Sequence, residues 1–459
     1  MKGRSADMAE SKTGRTGATG VPSGPQDRGT APSALPRFWG LVLSVVVLGC
    51  TVGASSGLLA RFFDWTQWVM LGFKEELGAS GAYTVAPIRR FLSVVFGALA
   101  ASLIWWFLRN HCRRVPSVSQ AVKGQGMPVG PTLVHVLTQI FLVACGGSIG
   151  REVAPREAGA MLGGLWGRLR GRLGLEEGDR ALLVAASAGA GFAGIYVAPL
   201  TGTFFGIEVL LGRVDGTVVA VNLAMSSLAT LVGGSIKGFD AYYSVGGESF
   251  SPWFTLAALL LGLVMGVAGA GFRRATSWAQ DHRTTDANII WQLTGTGLLT
   301  GLVAMWTPQV MGNGRVLAQT GINQVPAASL RAALAPIGLL LVFAMIKVVF
   351  TVLTIRTGAS GGTLTPSIAL GSALGAAIGL VAHLLVPDLP VWQCAVVGAA
   401  ALLAASQQAP LMALFMLMEV CRLPVAAALP MTMAVAAATV AAGLVCGHGR
   451  EPSPDRPER

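Results

Sequence analysis

Charge is scarce in this sequence: only 12% of its 459 residues are Asp, Glu, Lys or Arg, against 53% hydrophobic. The apolar residues come in blocks rather than in the alternation of a soluble core, which argues against a soluble globular domain. The runs 91–108, 132–145, 253–272, 333–355 and 425–446 approach the ~20 residues that a bilayer-spanning helix needs. In lipid each backbone N–H and C=O must be satisfied within its own segment, so such runs are expected to be helices. Cysteine is sparse as well. Cys50, Cys112, Cys145, Cys394, Cys421 and Cys446 mostly sit in or beside apolar runs without metal-ligand spacing. They are expected to be small buried hydrophobes, with no disulfide framework and no zinc site. Tyrosine numbers four, none after Tyr243. No nucleotide-binding P-loop is present, which argues against an ATP-driven pump, and no cofactor is expected.

Glycine, at 60 residues, is plentiful, and small residues let membrane helices approach backbone to backbone. The net charge of +11 is unevenly placed. Basic residues gather before the first apolar run (Lys2, Arg4, Lys12, Arg15, Arg28, Arg37), at Arg168, Arg170 and Arg172, and at Arg273, Arg274 and Arg283. Under the positive-inside rule these loops are cytoplasmic, as both termini are expected to be. They are topology signals rather than a nucleic-acid patch. Residues 1–36, rich in Gly, Ser, Thr, Pro and charge, are expected to form a disordered tail. Residues 37–446 are expected to form one membrane domain, and 447–459 a short polar tail. No apolar core follows the first Lys closely enough for a signal peptide.

The chain repeats itself. Ala198-Pro199-Leu200, Phe204 and Glu208 recur as Ala409-Pro410-Leu411, Phe415 and Glu419, each 211 residues on (409 − 198, 415 − 204, 419 − 208). Ser148, Gly150, Gly159, Leu162 and Gly163 recur 212 residues on as Ser360, Gly362, Gly371, Leu374 and Gly375. Two halves of roughly 200 residues follow, about 37–236 and 250–446. Duplications of this kind commonly build transporters with the substrate site between the halves. The spacing alone fits a parallel or an inverted repeat.

Three Gly-rich interruptions break the apolar pattern: Gly146 to Pro155, Gly358 to Pro366, and Lys123 to Pro128. Each is a flexible turn leading through Pro into a helix, where the missing N–H costs little. A helix that starts inside a membrane presents free N–H groups and the positive end of its dipole, a ready anion site. Packing alone could explain one interruption; three, two of them at equivalent repeat positions, point to a binding site.

Glu152 is an ionisable residue at one of these helix starts. Such a carboxylate could occupy the anion position itself and leave when protonated or displaced, forming a gate. The alternative is a permanent ion pair with Arg151 or Arg156. Intramembrane carboxylates are usually functional. Glu208 and Glu419, matched across the halves, are expected to share a structural job, capping or inter-helix hydrogen bonding.

These motifs resemble the CLC chloride channel and transporter family over almost the whole membrane region. The family's three anion-loop motifs read GSGIP, G(K/R)EGP and GxFxP; here they are taken as GQGMP (124–128), GREVAP (150–155) and GTLTP (362–366). The run 347–375 is the most specific match. The resemblance implies an all-α, polytopic inverted repeat with many tilted, partly spanning helices, assembled as a homodimer with one pore per subunit. It implies an anion site at Gly124, Gln125, Gly126, Gly362, Thr363, Leu364 and Thr365, with an outer position at Arg151, Glu152 and Val153 and Glu152 as the gate.

Some positions depart from the family pattern. Gln125 replaces a serine, Leu364 a phenylalanine, and the tyrosine expected near the end of the last helix has no counterpart. Val209 stands where proton-coupled members carry a second glutamate. The expectation is therefore passive chloride permeation gated by Glu152, in a bacterial inner membrane. Chloride/proton exchange, or transport of fluoride or nitrate, is the alternative. An enzyme using Glu152 as a base is disfavoured, since no His or Asp falls within the three loops.

Overall fold

The computed structural model describes residues 34–74 and 81–446. The expected tails therefore fall outside the described residues, except that Ala34 to Pro36 open the first helix. Among the described residues there is no strand, and sixteen α-helices fall eight to each half. The first half holds α1 (Ala34–Leu71), α2 (Pro87–His111), α3 (Val118–Val122), α4 (Val129–Ala144), α5 (Val153–Trp166), α6 (Glu177–Tyr196), α7 (Pro199–Phe204) and α8 (Gly216–Lys237). The second holds α9 (Phe254–Asp281), α10 (Ile289–Ala304), α11 (Arg315–Ile322), α12 (Leu330–Arg356), α13 (Leu364–Leu385), α14 (Val391–Gln407), α15 (Pro410–Val420) and α16 (Ala428–Cys446).

Seven of these, α1, α2, α8, α9, α12, α13 and α16, are long and apolar enough to cross a membrane. The run at 132–145 falls short: α4 has 16 residues, about 24 Å at 1.5 Å per residue, against a hydrocarbon core of about 30 Å. The result is a polytopic membrane protein built of spanning helices and shorter ones.

The duplication is structural as well as sequential. Val197 and Gln408, 211 residues apart, both adopt the left-handed conformation, with φ of 57° and 53°. Non-glycine residues rarely do so. Each turns a long helix into a Pro-led one, α6 into α7 and α14 into α15. Phe204 and Phe415, equivalent residues of the two halves, stack face to face with ring centroids 4.8 Å apart and planes 4° apart.

Equivalent glutamates reach across in the same reciprocal way. Glu419 accepts the backbone N–H groups of Leu200 and Thr201, both at 2.8 Å, and the Thr201 hydroxyl at 2.6 Å. Glu208 accepts the N–H groups of Leu411 and Met412 at 3.2 and 3.0 Å. Each carboxylate thus caps the opposite half's Pro-led helix, satisfying donors that have no helical acceptor. This is the shared structural job expected of the pair. Such reciprocity, residue i to j and j to i, is what a two-fold relation between the halves requires. The symmetry is incomplete at one point. α15 runs on as α-helix, whereas α7 passes into a π-helical turn, Phe205–Leu211.

Candidate anion site between the halves

Two loops meet at the centre. Gly150 and Gly362, equivalent glycines, exchange both backbone hydrogen bonds, Gly150 N–H to Gly362 O at 2.8 Å and Gly362 N–H to Gly150 O at 2.9 Å. The bridge places Glu152 of one half against the start of α13 in the other. The Glu152 side chain is wholly buried. Its Oε1 accepts the Leu364 N–H at 2.6 Å and the Thr365 N–H at 3.4 Å, and its Oε2 accepts the Thr365 hydroxyl at 2.9 Å. These amides open α13, so they lack helical acceptors and carry the positive end of its dipole. The carboxylate takes up the coordination that a helix start offers to an anion. A Cβ on either bridging glycine would run into that carboxylate and displace it.

Three cations lie around the centre, and a fourth, Arg109, stands farther out. Lys347, buried in the middle of α12, donates to Ser148 Oγ at 3.0 Å and to the carbonyls of Val310 and Gly312 at 3.2 and 2.6 Å. It thereby ties the second half to the loop that carries Glu152. The Arg151 guanidinium lies over Phe63 at 4.1 Å, with Tyr242 and Tyr196 at 5.6 and 5.9 Å. Arg156 lies between Phe192 and Phe205, 4.3 and 4.2 Å from their centroids. Arg109 holds the carbonyls of Thr284 and Gly358, fastening the end of α2 to the entry of the second loop.

Of the residues expected at the site, the structure brings together Arg151, Glu152, Val153, Gly362, Thr363, Leu364 and Thr365. The amides that engage the carboxylate are those of Leu364 and Thr365. Thr363 instead accepts a hydrogen bond from Gln407 through its hydroxyl, at 3.2 Å.

Gly124, Gln125 and Gly126 are not there. Their loop lies at the start of α4 and the Glu152 loop at its end, a separation of about 24 Å along the helix. Gln125 and Gly126 line a different cleft, with Met161, Gly164 and Arg168. A second Pro-led segment, α3, entered through Pro116 and Ser117, also packs against α5. Its start carries a capping box, Ser117 with Gln120, a signature present in the sequence.

Other functional candidates went unread at the sequence level. Lys347 was legible as a lone Lys inside an apolar helix. Tyr196 ends α6 with its ring buried near Arg151. One turn along α5 lies a separate polar cluster. Gln139 donates to Glu157 at 2.7 Å, His135 Nε2 stands 3.6 Å from the same carboxylate oxygen, and Trp105 donates to His135 Nδ1 at 3.0 Å. Val209 lies in the π-helical turn and is 43% exposed.

Comparison with known proteins agrees with this architecture. The chain is 30% identical over 383 residues, 81% of its length and 87% of the relative's, to a ClcB-like chloride channel protein of Ralstonia nicotianae. Its fold is similar to that of a slow cyanobacterial Cl−/H+ antiporter, with a TM-score of 0.73 and 21% identity over 88% of this chain and 95% of that one. It is also similar to a CLC-type fluoride/proton antiporter, with a TM-score of 0.64 and 20% identity over 87% of this chain and 95% of that one. The family model described as voltage gated chloride channel matches residues 96–443. An anion-transport fold with its helix starts meeting at Glu152 is thereby placed in its lineage: the chain belongs to the voltage-gated chloride channel (CLC) family.

Proposed function

We propose that the protein carries chloride across a bacterial membrane as a homodimer, exchanging it for protons, with Glu152 closing the path and acting as the acid. The observation that carries this reading is the Glu152 carboxylate seated on the Leu364 and Thr365 amides. A carboxylate in an anion's place must be displaced or neutralised before an anion takes those donors, so protonation and anion entry compete for one position. Two similar folds described as antiporters, one for chloride and one for fluoride, support exchange over simple permeation.

Passive permeation is the second reading, and Val209 favours it. A valine carries no proton, and this one occupies the turn where the first half departs from α-helix. Simultaneous recording of chloride and proton movement from reconstituted vesicles distinguishes the two. Exchange predicts proton uptake in fixed ratio to chloride efflux, even against a proton gradient. Chloride efflux with no proton movement replaces it with the passive reading. Competition by fluoride and nitrate in the same vesicles identifies the preferred ion.

A further inference from the structure

The polar cluster at Glu157 lies on the side of Glu152 that leads to a basic loop. α5 begins beside Glu152 and is followed by Arg168, Arg170 and Arg172, which the positive-inside rule assigns to the cytoplasm. Glu157 is five residues along, about 7.5 Å from Glu152 down the helix axis. Ala160 and Met161, three and four residues further on, are its helical neighbours. Both line the cleft that Gln125, Gly126, Arg168 and Arg180 also line. Glu157 therefore stands between Glu152 and the cleft, one helical turn from the cleft wall.

α4 lays a polar stripe against it. Thr132, His135 and Gln139 are spaced three and four residues apart and share one helix face. Gln139 donates to Glu157 Oε2 at 2.7 Å, and His135 Nε2 faces the same oxygen at 3.6 Å. A tryptophan N–H can only donate, so Trp105 makes His135 Nδ1 an acceptor and leaves the neutral ring's proton on Nε2, toward Glu157. Both groups address Oε2, which leaves Oε1 to take a proton. Arg283 acts electrostatically on Glu157 and His135, and Arg109 on His135, while Arg168 and Arg180 stand at the cleft. At each end of the stripe a buried oxygen has no hydrogen-bond partner. Thr132 Oγ1 lies near the start of α4 and the cleft, and Gln139 Oε1 near its end and the Glu152 loop. Both side chains are wholly buried. Such oxygens are costly unless something polar meets them, and two of them flanking a carboxylate mark out a file of water.

We propose that Glu157 is the inner proton carrier of this chain, passing protons between the cleft and Glu152 along the seam of α4 and α5, with His135 as its positioning residue. This rests on the exchange reading of the protein's function, and it supplies the carboxylate that Val209 does not. Ionised Glu157 takes a proton from water in the cleft on Oε1 and becomes the neutral acid. It gives that proton, through water, to the Glu152 carboxylate. Glu152 becomes neutral and leaves the α13 amides, and Glu157 returns to its ionised form.

The test is chloride-driven proton uptake into vesicles holding the full chain, recorded together with chloride efflux. The wild type is expected to move both in fixed ratio. Glu157→Gln keeps an acceptor for Gln139 but carries no proton. It is expected to lose proton uptake by about 100-fold or more, as for removal of an acid–base group, while chloride efflux persists. Glu157→Asp is expected to recover part of the uptake. The wild-type proton-to-chloride ratio in Glu157→Gln overturns the relay and leaves exchange standing. Equal loss of both fluxes makes Glu157 structural and overturns the relay as well. Wild-type chloride efflux without proton movement overturns exchange, and the relay with it. Should Glu157→Gln not remain monodisperse, Thr132→Val and His135→Gln, which keep Glu157, carry the test. Each is expected to lower the proton-to-chloride ratio, and the wild-type ratio in both overturns the relay equally.

Discussion

Gly150 and Gly362, 212 residues apart (362 − 150), pair by two backbone hydrogen bonds, and the Glu152 carboxylate fills the space a side chain on either would need. The bridge that joins the two repeats therefore lies directly against the Glu152 carboxylate.

It follows that Gly362→Ala should dislodge Glu152 from the α13 amides, since the new methyl and the carboxylate compete for one place. Gly362→Ala and Glu152→Gln then act on the same state, and their effects on transport should be strongly non-additive, as expected for residues in direct contact. A double variant whose flux change equals the product of the two single changes would contradict this.

The reciprocal caps predict an asymmetry. Glu419 accepts three hydrogen bonds and Glu208 two longer ones, from a more exposed position. Hydrogen bonds to a charged acceptor contribute about 1.5–3 kcal/mol each when buried, and less where solvent screens them. Glu419→Gln should lower stability by about 2 kcal/mol or more, and Glu208→Gln by roughly half of that. Denaturant titration of reconstituted protein reads the difference, and equal losses would be the wrong outcome.

Glu157 gives a third expectation. Glu157→Gln keeps an acceptor for Gln139, whereas Glu157→Leu leaves the Gln139 amide N–H buried beside an Oε1 that already lacks a partner. An orphaned buried donor costs about 1–3 kcal/mol. The Leu variant should therefore be the less stable by about that amount. Equal stability of the two would show that the cluster does not brace α2, α4 and α5.

Much of this architecture was legible in the sequence, because duplication writes itself twice. The offsets that matched Phe204 to Phe415 and Glu208 to Glu419 correspond to a stacked ring pair and a reciprocal cap. Glu152 was legible because a charge at a Gly-broken helix start has few structural reasons to exist. What misled was the Gly124 to Pro128 loop. A Gly-rich turn before Pro reads alike wherever it sits, and only α4, standing between the two loops, shows them to be at opposite ends. The stripe beside Glu157 was not legible as a route, since its significance lies in hydrogen bonds that Thr132 and Gln139 do not make. No residue pattern records a missing partner.

The most direct measurement is chloride efflux from vesicles as a function of pH, for the wild type and Glu152→Gln. On the proposed reading, protonation releases the carboxylate from the Leu364 and Thr365 amides, so wild-type efflux is predicted to rise steeply as the pH falls. The Gln variant, with no proton to gain, should give a flat profile with the fold intact. A Gln variant that keeps the wild-type pH dependence would contradict the account.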